Sequence, residues 1–385
     1  MRDKILRELE KIKAEDLYRE MPAMTEGAGR YVEIGGLQYL NLSSNNYLGL
    51  SGVESVREEA EKALRQYGTT SGASRIVTGN YKLYDDLERK TASYKNCERA
   101  LVFNSGYAAN LAVYTSLCGR ETHVFSDKLN HASIIDGIRL SGAKHIRYKH
   151  NDMADLEALL EKYKDVKEKV IATDTVFSMD GDVCQLYRIV SLAEKYGAMI
   201  IIDEAHATGV FGRGRGYAHE IGLADRVDVH MGTFSKALGS FGGYVASSEV
   251  IIDYLRNKAR SFIYSTSLPP AVVGASVGAL KYLAKKPEIG GRLLDAAEDL
   301  RFYLSQIGFE TGMSMSQIIP VVLGGNKRAL LAKEFLLSKG LYVAAIRPPT
   351  VPVNTARLRL SLRLDVLDEM DRIKSAFKEM KEAGI

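Results

Sequence analysis

Between residues 99 and 248 short apolar runs alternate with helix-patterned stretches, and this rhythm constrains the fold more than any other feature. RALVFNSG (99–106) reads as a strand entering a helix near Tyr107. THVFSD (122–127) precedes ASIIDGIRLSGA (132–143), and KVIATDT (169–175) precedes a loop and LYRIVSLAEKYGA (186–198). MIIIDEAH (199–206) is apolar until its acid, and RVDVHMGTFSK (226–236) and GGYVASS (242–248) follow. Strands apolar on both faces must be covered on both faces. A strand–helix–strand rhythm of this kind predicts an α/β domain around a mostly parallel sheet.

The last third changes character. PPAVVGASVGALKYLAKK (269–286) reads as a long helix. IIPVVLGG, the helix KRALLAKEFLLSKG, the strand LYVAAI, ARLRLSL and a closing helix over 366–384 then suit a smaller α+β domain. The expected organisation is an N-terminal helix and arm over 1–45, a large domain over 46–275 and a small domain over 276–385. A chain of 385 residues is long enough for two cores.

Composition narrows the function. A net charge of +4 is too small for a broad nucleic-acid footprint. The three cysteines, Cys97, Cys118 and Cys184, include no C-x-x-C pair, so neither a disulfide framework nor a zinc ribbon is expected. The charged N-terminus has no apolar core of a secretory signal. Ile5, Leu6, Leu9, Ile12 and Leu17 read as one face of a helix that stops before Pro22. No apolar run is long enough to span a bilayer, and a cytoplasmic enzyme without membrane partners is expected.

In open parallel sheets ligands bind beyond the carboxyl ends of the strands. The residues there are Ser105-Gly106-Tyr107, Asn130-His131, Ser178, Asp203 with His206, and Thr233-Phe234-Ser235-Lys236. On this reading the set holds one acid, which argues against a two-metal site, and no metal is expected. The letters DEAH (203–206) also occur in nucleotide-driven helicases, but no G-x-x-x-x-G-K-[ST] phosphate loop accompanies them. GVFGRGRG does not match G-x-G-x-x-G, and Leu223 stands where a second histidine would complete H-E-x-x-H.

Lys236 is the discriminating residue. A lysine in a loop backed by apolar strands loses its proton more easily and becomes a nucleophile for an aldehyde. Asp203 lies at a strand end 33 residues earlier. A lysine, an acid to face a pyridinium nitrogen, and a helix N-terminus for a phosphate are what pyridoxal phosphate requires. Ser105-Gly106-Tyr107 opens such a helix.

Eight segments together resemble the pyridoxal-phosphate α-oxoamine synthases: SSNNYLGL (43–50), FNSGYAANLA (103–112), LNHASIIDG (129–137), VFSMDGD (176–182), DEAHATGVFGRGRG (203–216), GTFSKALGSFGGY (232–244), YSTSLPP (264–270) and IRPPTVP…TARLRLSL (346–362). They occur in the family's order from about residue 17 to the end. The resemblance implies the aminotransferase-like fold type I and a homodimer with a shared active site. It implies condensation of an amino acid with an acyl thioester of CoA or of acyl carrier protein, with loss of CO₂. L-alanine with a pimeloyl thioester is the expected pair, and glycine with acetyl-CoA is the alternative. A pyridoxal-phosphate aminotransferase is a more distant one.

By the same resemblance, Lys236 binds the cofactor covalently and takes the Cα proton, and Asp203 keeps the ring nitrogen protonated. His131 stacks on the ring, while His206 and Ser178 bond its phenolic oxygen. Ser105, Gly106, Tyr107 and Thr233 hold the phosphate or neighbouring atoms, joined by Thr266 of the other subunit. Arg359 clamps the amino-acid carboxylate, with Arg19, Asn45 and Thr350 as further substrate contacts. Arg357 and Arg363 share the alternating face of Arg359, and Arg357 reads alternatively as an edge-strand charge. Three positions depart from the family pattern: Asn46 stands for Asp, Asp174 for Glu, and LSLRLD for a small residue followed by His.

Overall fold

The structure, a computed structural model, describes residues 1–25 and 29–385. The chain forms two compact units. The larger comprises Asn46–Ser178 and Val183–Gly291, and the smaller Met1–Asn45, Met179–Asp182 and Arg292–Ile385.

The larger unit is built on a seven-stranded sheet. Its spatial order is Arg99–Phe103, Gly243–Ser247, Val229–Thr233, Met199–Asp203, Glu168–Asp174, Thr122–Asp127 and Lys144–Tyr148. All pairings are parallel except those of Gly243–Ser247, which runs antiparallel to both neighbours. Successive strand residues point to opposite faces, so each strand feeds two cores. Val124, Val170, Ala172 and Ile201 pack with the helices Gly106–Leu117 and Ala132–Ser141. Phe125, Ile171, Ile200 and Ile202 pack with Met153–Lys162 and Leu186–Tyr196 on the other side. The strand Lys144–Tyr148 has no counterpart in the apolar-run reading. As an edge strand it needs only one paired side, and KHIRY leaves Lys144 and Arg147 exposed.

The smaller unit carries two three-stranded sheets. LYVAAI, expected as one strand, divides between them. Leu341–Tyr342 pairs with Leu37–Asn41, and Ala344–Ile346 pairs with Ala356–Ser361. Ala356–Ser361 lies between Ile318–Gly324 and Ala344–Ile346, so Arg357 is not on an edge strand. It is buried and bonded to Asp180 and to the Met179 carbonyl. Arg363 falls beyond the strand and is fully buried. Its guanidinium forks onto Asp365 at 2.8 and 2.5 Å and donates to the Gly29 carbonyl at 2.6 Å. The LSLRLD departure thus contains its own ion pair.

The N-terminal helix is shorter than expected, Arg2–Ala14. Asp16 adopts φ 55°, Asp16 N–H donates to Lys13 and Leu17 N–H reaches the Ile12 carbonyl at 2.9 Å. That is a Schellman stop, and it places Leu17 outside the helix. Among the described residues, no helix is long and apolar enough to cross a membrane.

Candidate active site

Five strand ends of the larger unit open into a cavity of about 190 Å³. Gly106, Tyr107, His131, Asp203, His206, Thr233 and Lys236 all line it, together with Ser133, Asp174, Ala205, Met231 and Ser235. Asp203 is the last residue of the strand Met199–Asp203 and is buried. Its Oδ1 accepts the Ala205 N–H at 2.8 Å, and its Oδ2 accepts Asn110 Nδ2 at 2.9 Å. Asn110 also donates to Ser133 Oγ at 2.8 Å, and Ser133 Oγ lies 2.7 Å from His131 Nδ1. A chain of side chains therefore joins Asp203 to His131.

His131 caps the helix Ala132–Ser141 by accepting the Ser133 N–H at Nδ1, at 3.2 Å. Burial lowers the basicity of its ring, and Lys236 adds to this against the opposing charge of Asp203. Nδ1 is thus an acceptor, and in the neutral ring the proton sits on Nε2. His206 sits between two partners. Nδ1 is 2.7 Å from Tyr47 Oη, and Nε2 is 2.9 Å from Lys236 Nζ.

The Ser105 hydroxyl caps the helix Gly106–Leu117 by accepting the Ala108 N–H at 3.0 Å. The first-turn amides of Gly106 and Tyr107 have no intrahelical acceptor. Gly243 lets the chain pass close by: a Cβ there would stand 2.6 Å from the Gly106 nitrogen. Thr233 Oγ1 donates to the Gly242 carbonyl at 2.6 Å and accepts the Ser235 N–H at 3.1 Å, which shapes the loop ahead of Lys236. Ser105, Ser178 and Thr266 do not line the cavity. The Thr266 carbonyl accepts Asn104 Nδ2 at 2.6 Å.

A second carboxyl group lines the cavity, contrary to the one-acid reading. Asp174 ends the strand Glu168–Asp174, and its register places it beside Asp203. Burial, then the charge of Asp203, pushes its carboxyl well above the usual range. Its Oδ2 accepts the His131 N–H at 2.7 Å. The sequence signal was available, since Asp174 is the acid at the end of an apolar run. Tyr47 and Asn110 carried no comparable signal, because contacts across long sequence separations create their roles. Among the described residues, no group of three His, Cys, Asp or Glu side chains could hold a metal ion.

The remaining expected residues belong to the smaller unit. Arg359 is buried and donates to Asn45 Oδ1 at 3.2 Å and to Ser361 Oγ at 2.6 Å. Arg19 and Thr350 line a separate groove of about 1020 Å³, where Arg19 donates to the Pro348 carbonyl at 3.4 Å.

The aminotransferase class I and II family model matches residues 38–372. A Bacillus cereus relative named "Putative 8-amino-7-oxononanoate synthase" is 50% identical over 325 residues, 84% of this chain and 82% of its own. Serine palmitoyltransferase from S. paucimobilis, solved with bound pyridoxal phosphate and myriocin, superposes with a TM-score of 0.93 at 30% identity. The match covers 99% of this chain and 97% of that one. The chain belongs to the pyridoxal-phosphate α-oxoamine synthases. The solved 8-amino-7-oxononanoate synthase from Francisella tularensis is a further relative, with a TM-score of 0.77 at 29% identity, covering 90% of this chain and 99% of that one. As an α-oxoamine synthase the chain is an acyltransferase of fold type I with pyridoxal phosphate as cofactor. The donor set fits that group: an amine at Lys236, a hydrogen-bonded carboxylate at Asp203, and open amides at a helix start.

Proposed function

We propose that this α-oxoamine synthase is an 8-amino-7-oxononanoate synthase, which joins L-alanine to a pimeloyl thioester with release of CoA and CO₂ in biotin synthesis. The observation that carries the reading is the 50% identity to the Bacillus cereus relative of that name, on a chain that keeps Lys236 and Asp203 in one cavity.

When bound, the cofactor supplies an aldehyde for amine capture and a pyridinium ring that accepts the electron pair left as the Cα–H bond breaks. Lys236 would hold the aldehyde and afterwards receive the Cα proton on Nζ. Asp203 would keep a proton on the ring nitrogen, with Asn110 and the Ala205 amide fixing both of its oxygens. His131 would lie against the ring, its orientation set by Ser133. His206, steered by Tyr47, would place a ring nitrogen beside the reacting amine and the phenolic oxygen, with Ser178 assisting there. The Gly106 and Tyr107 amides, with Ser105 and Thr233, would take the phosphate, and Thr266 would reach that of a second subunit in a cytoplasmic homodimer. Arg359, held by Asn45, would clamp the alanine carboxylate through its planar fork, with Arg19 and Thr350 toward the acyl substrate.

The test is a substrate panel read by mass spectrometry of the products. Alanine with pimeloyl-CoA or the pimeloyl carrier-protein thioester is expected to give 8-amino-7-oxononanoate fastest. Faster turnover of glycine with acetyl-CoA would replace the reading. Lys236→Ala is expected to remove both turnover and the visible absorption of the lysine-bound cofactor.

A further inference from the structure

A second, larger cavity of about 870 Å³ lies in the larger unit and shares no lining residue with the Lys236 cavity. It is bounded by the helices Lys82–Lys95 and Pro270–Lys285 and by the glycine-rich turn after DEAH. Its volume is within the range of about 300–1,000 Å³ common to small-molecule sites.

The lining is strongly cationic. Arg89, Lys90, Arg213, Arg215 and Lys281 face it against a single acid, Glu220. Glu220 is engaged, accepting the Gly212 N–H at 2.6 Å. Arg89 and Lys90 share Asp86, at 2.6 and 3.6 Å, and Lys281 meets Glu59 at 3.0 Å. Arg213 and Arg215 stand exposed on the turn with no ion pair among the described residues. The opposite wall is apolar, formed by Leu280, Leu283, Ala284 and Pro287.

Three buried polar atoms on this lining have no hydrogen-bond partner: Tyr94 Oη, His219 Nδ1 and His219 Nε2. Their burial puts these atoms behind the cavity surface, where they shape the wall beneath the glycine-rich turn. Burial, helped by the Lys95 charge, pushes the His219 ring down to about 4, so it is neutral and offers one donor and one acceptor. Gly214 is adjacent to Tyr94 Oη, and its φ of 87° lets the turn close over the ring.

We propose that this cavity binds a phosphorylated nucleotide-sized ligand. Its phosphates would meet Arg213 and Arg215, with Arg89, Lys90 and Lys281 adding positive charge, and its apolar body would lie on the wall of Ala284 and Pro287. Guanidinium forks match phosphate oxygens in pairs, which favours phosphate over a simple carboxylate. The same chemistry is presented by a free nucleoside triphosphate and by the nucleotide end of CoA.

The test is calorimetric titration of the holoenzyme with ATP, with desulfo-CoA as a second titrant and inorganic phosphate and adenosine as competitors. One ATP per chain is expected, weakened at least about tenfold by Arg213→Glu/Arg215→Glu, a change of roughly 1.4 kcal/mol. Lys281→Glu, on a different element, is expected to weaken it as well. All variants should keep the cofactor absorption, which reports folding of the Lys236 cavity. Desulfo-CoA binding that displaces ATP and is lost in the Arg213→Glu/Arg215→Glu variant would assign the site to the thioester substrate's nucleotide. ATP binding that desulfo-CoA does not displace would assign it to a free nucleotide. Absence of saturable binding by both, binding unaltered by both charge reversals, or displacement by adenosine but not by phosphate would overturn the proposal.

Discussion

Asp174 and Asp203 are in register as the last residues of two adjacent parallel strands, so two carboxyl groups face one buried cavity. Like charges on neighbouring buried strand ends cannot both ionise cheaply. Burial, then the Asp203 charge, raises the Asp174 carboxyl well above the usual range, which favours the proton on Asp174.

This asymmetry predicts opposite outcomes for two chemically identical substitutions. Asp174→Asn copies the protonated acid and should keep most activity. Asp203→Asn removes the negative charge and should cost about 10²-fold or more in kcat, as loss of a group that acts on the reacting charge does. The pH dependence follows. A carboxyl whose folded value is raised contributes stability below its unfolded value of about 4, and loses it as pH rises toward the folded value. The stability of Asp174→Asn relative to the parent should therefore improve with rising pH, as measured by urea unfolding. A constant difference from pH 4 to 9 would show that Asp174 is ionised in the folded protein.

Tyr47 and His206 allow a finer test. Tyr47 Oη is 2.7 Å from Nδ1, and the other ring nitrogen is 2.9 Å from Lys236 Nζ. A partner on one imidazole nitrogen sets the role of the other. Tyr47→Phe should lower kcat about tenfold with little change in KM, about the worth of one hydrogen bond to the ring. It should also shift the pH profile of kcat. An unchanged profile with raised KM would give Tyr47 a packing role instead.

Much of this site was legible because its chemistry sits at the ends of apolar runs. Asp203, His206 and Lys236 each follow such a run, and the cavity gathers them. What escaped was what long-range contact creates. Tyr47 reaches His206 across 159 positions, and Asn110 reaches Asp203 across 93. Neither polar residue differs by pattern from any other on its segment. The edge strand Lys144–Tyr148 escaped for a different reason: one open side relaxes the demand for apolar residues. Arg357 was ambiguous because alternation gives a face but not a place in the sheet order, and only the pairing shows it to be central.

Arg359 is tested by geometry rather than charge. It is buried in the middle strand of its sheet and bonded to Asn45 and Ser361. Arg359→Lys keeps the charge and loses the planar fork. The expected result is a KM for the amino acid raised at least about tenfold, with the KM for the acyl thioester little changed. Equal rises in both would place the arginine's effect in the architecture of the smaller unit.

Glu204, between the two cavity-lining residues of DEAH, Asp203 and His206, does not line that cavity and meets Lys95, with neither side chain exposed. Its Oε1 accepts the Ala218 N–H at 3.0 Å, and His230 Nδ1 lies 3.4 Å from Oε2. Lys95 also donates to the Arg215 carbonyl, so the pair ties the end of the Asp203 strand to the glycine-rich turn. Burial alone would raise the Glu204 carboxyl, but Lys95 and His230 outweigh it and hold it well below the usual range. Removing one partner leaves a buried uncompensated charge. Lys95→Met should therefore destabilise the holoenzyme by about 3–5 kcal/mol, and Lys95→Met/Glu204→Gln should recover a large part of that loss. The sign of the pH effect is opposite to that of Asp174. A depressed carboxyl contributes stability above its unfolded value of about 4.3 and loses it as pH falls. The parent should lose stability in acid more steeply than the double variant, as read by urea unfolding below pH 5. Parallel acid profiles, or a double variant no more stable than Lys95→Met, would show that the pair does not act as a charge-compensated unit.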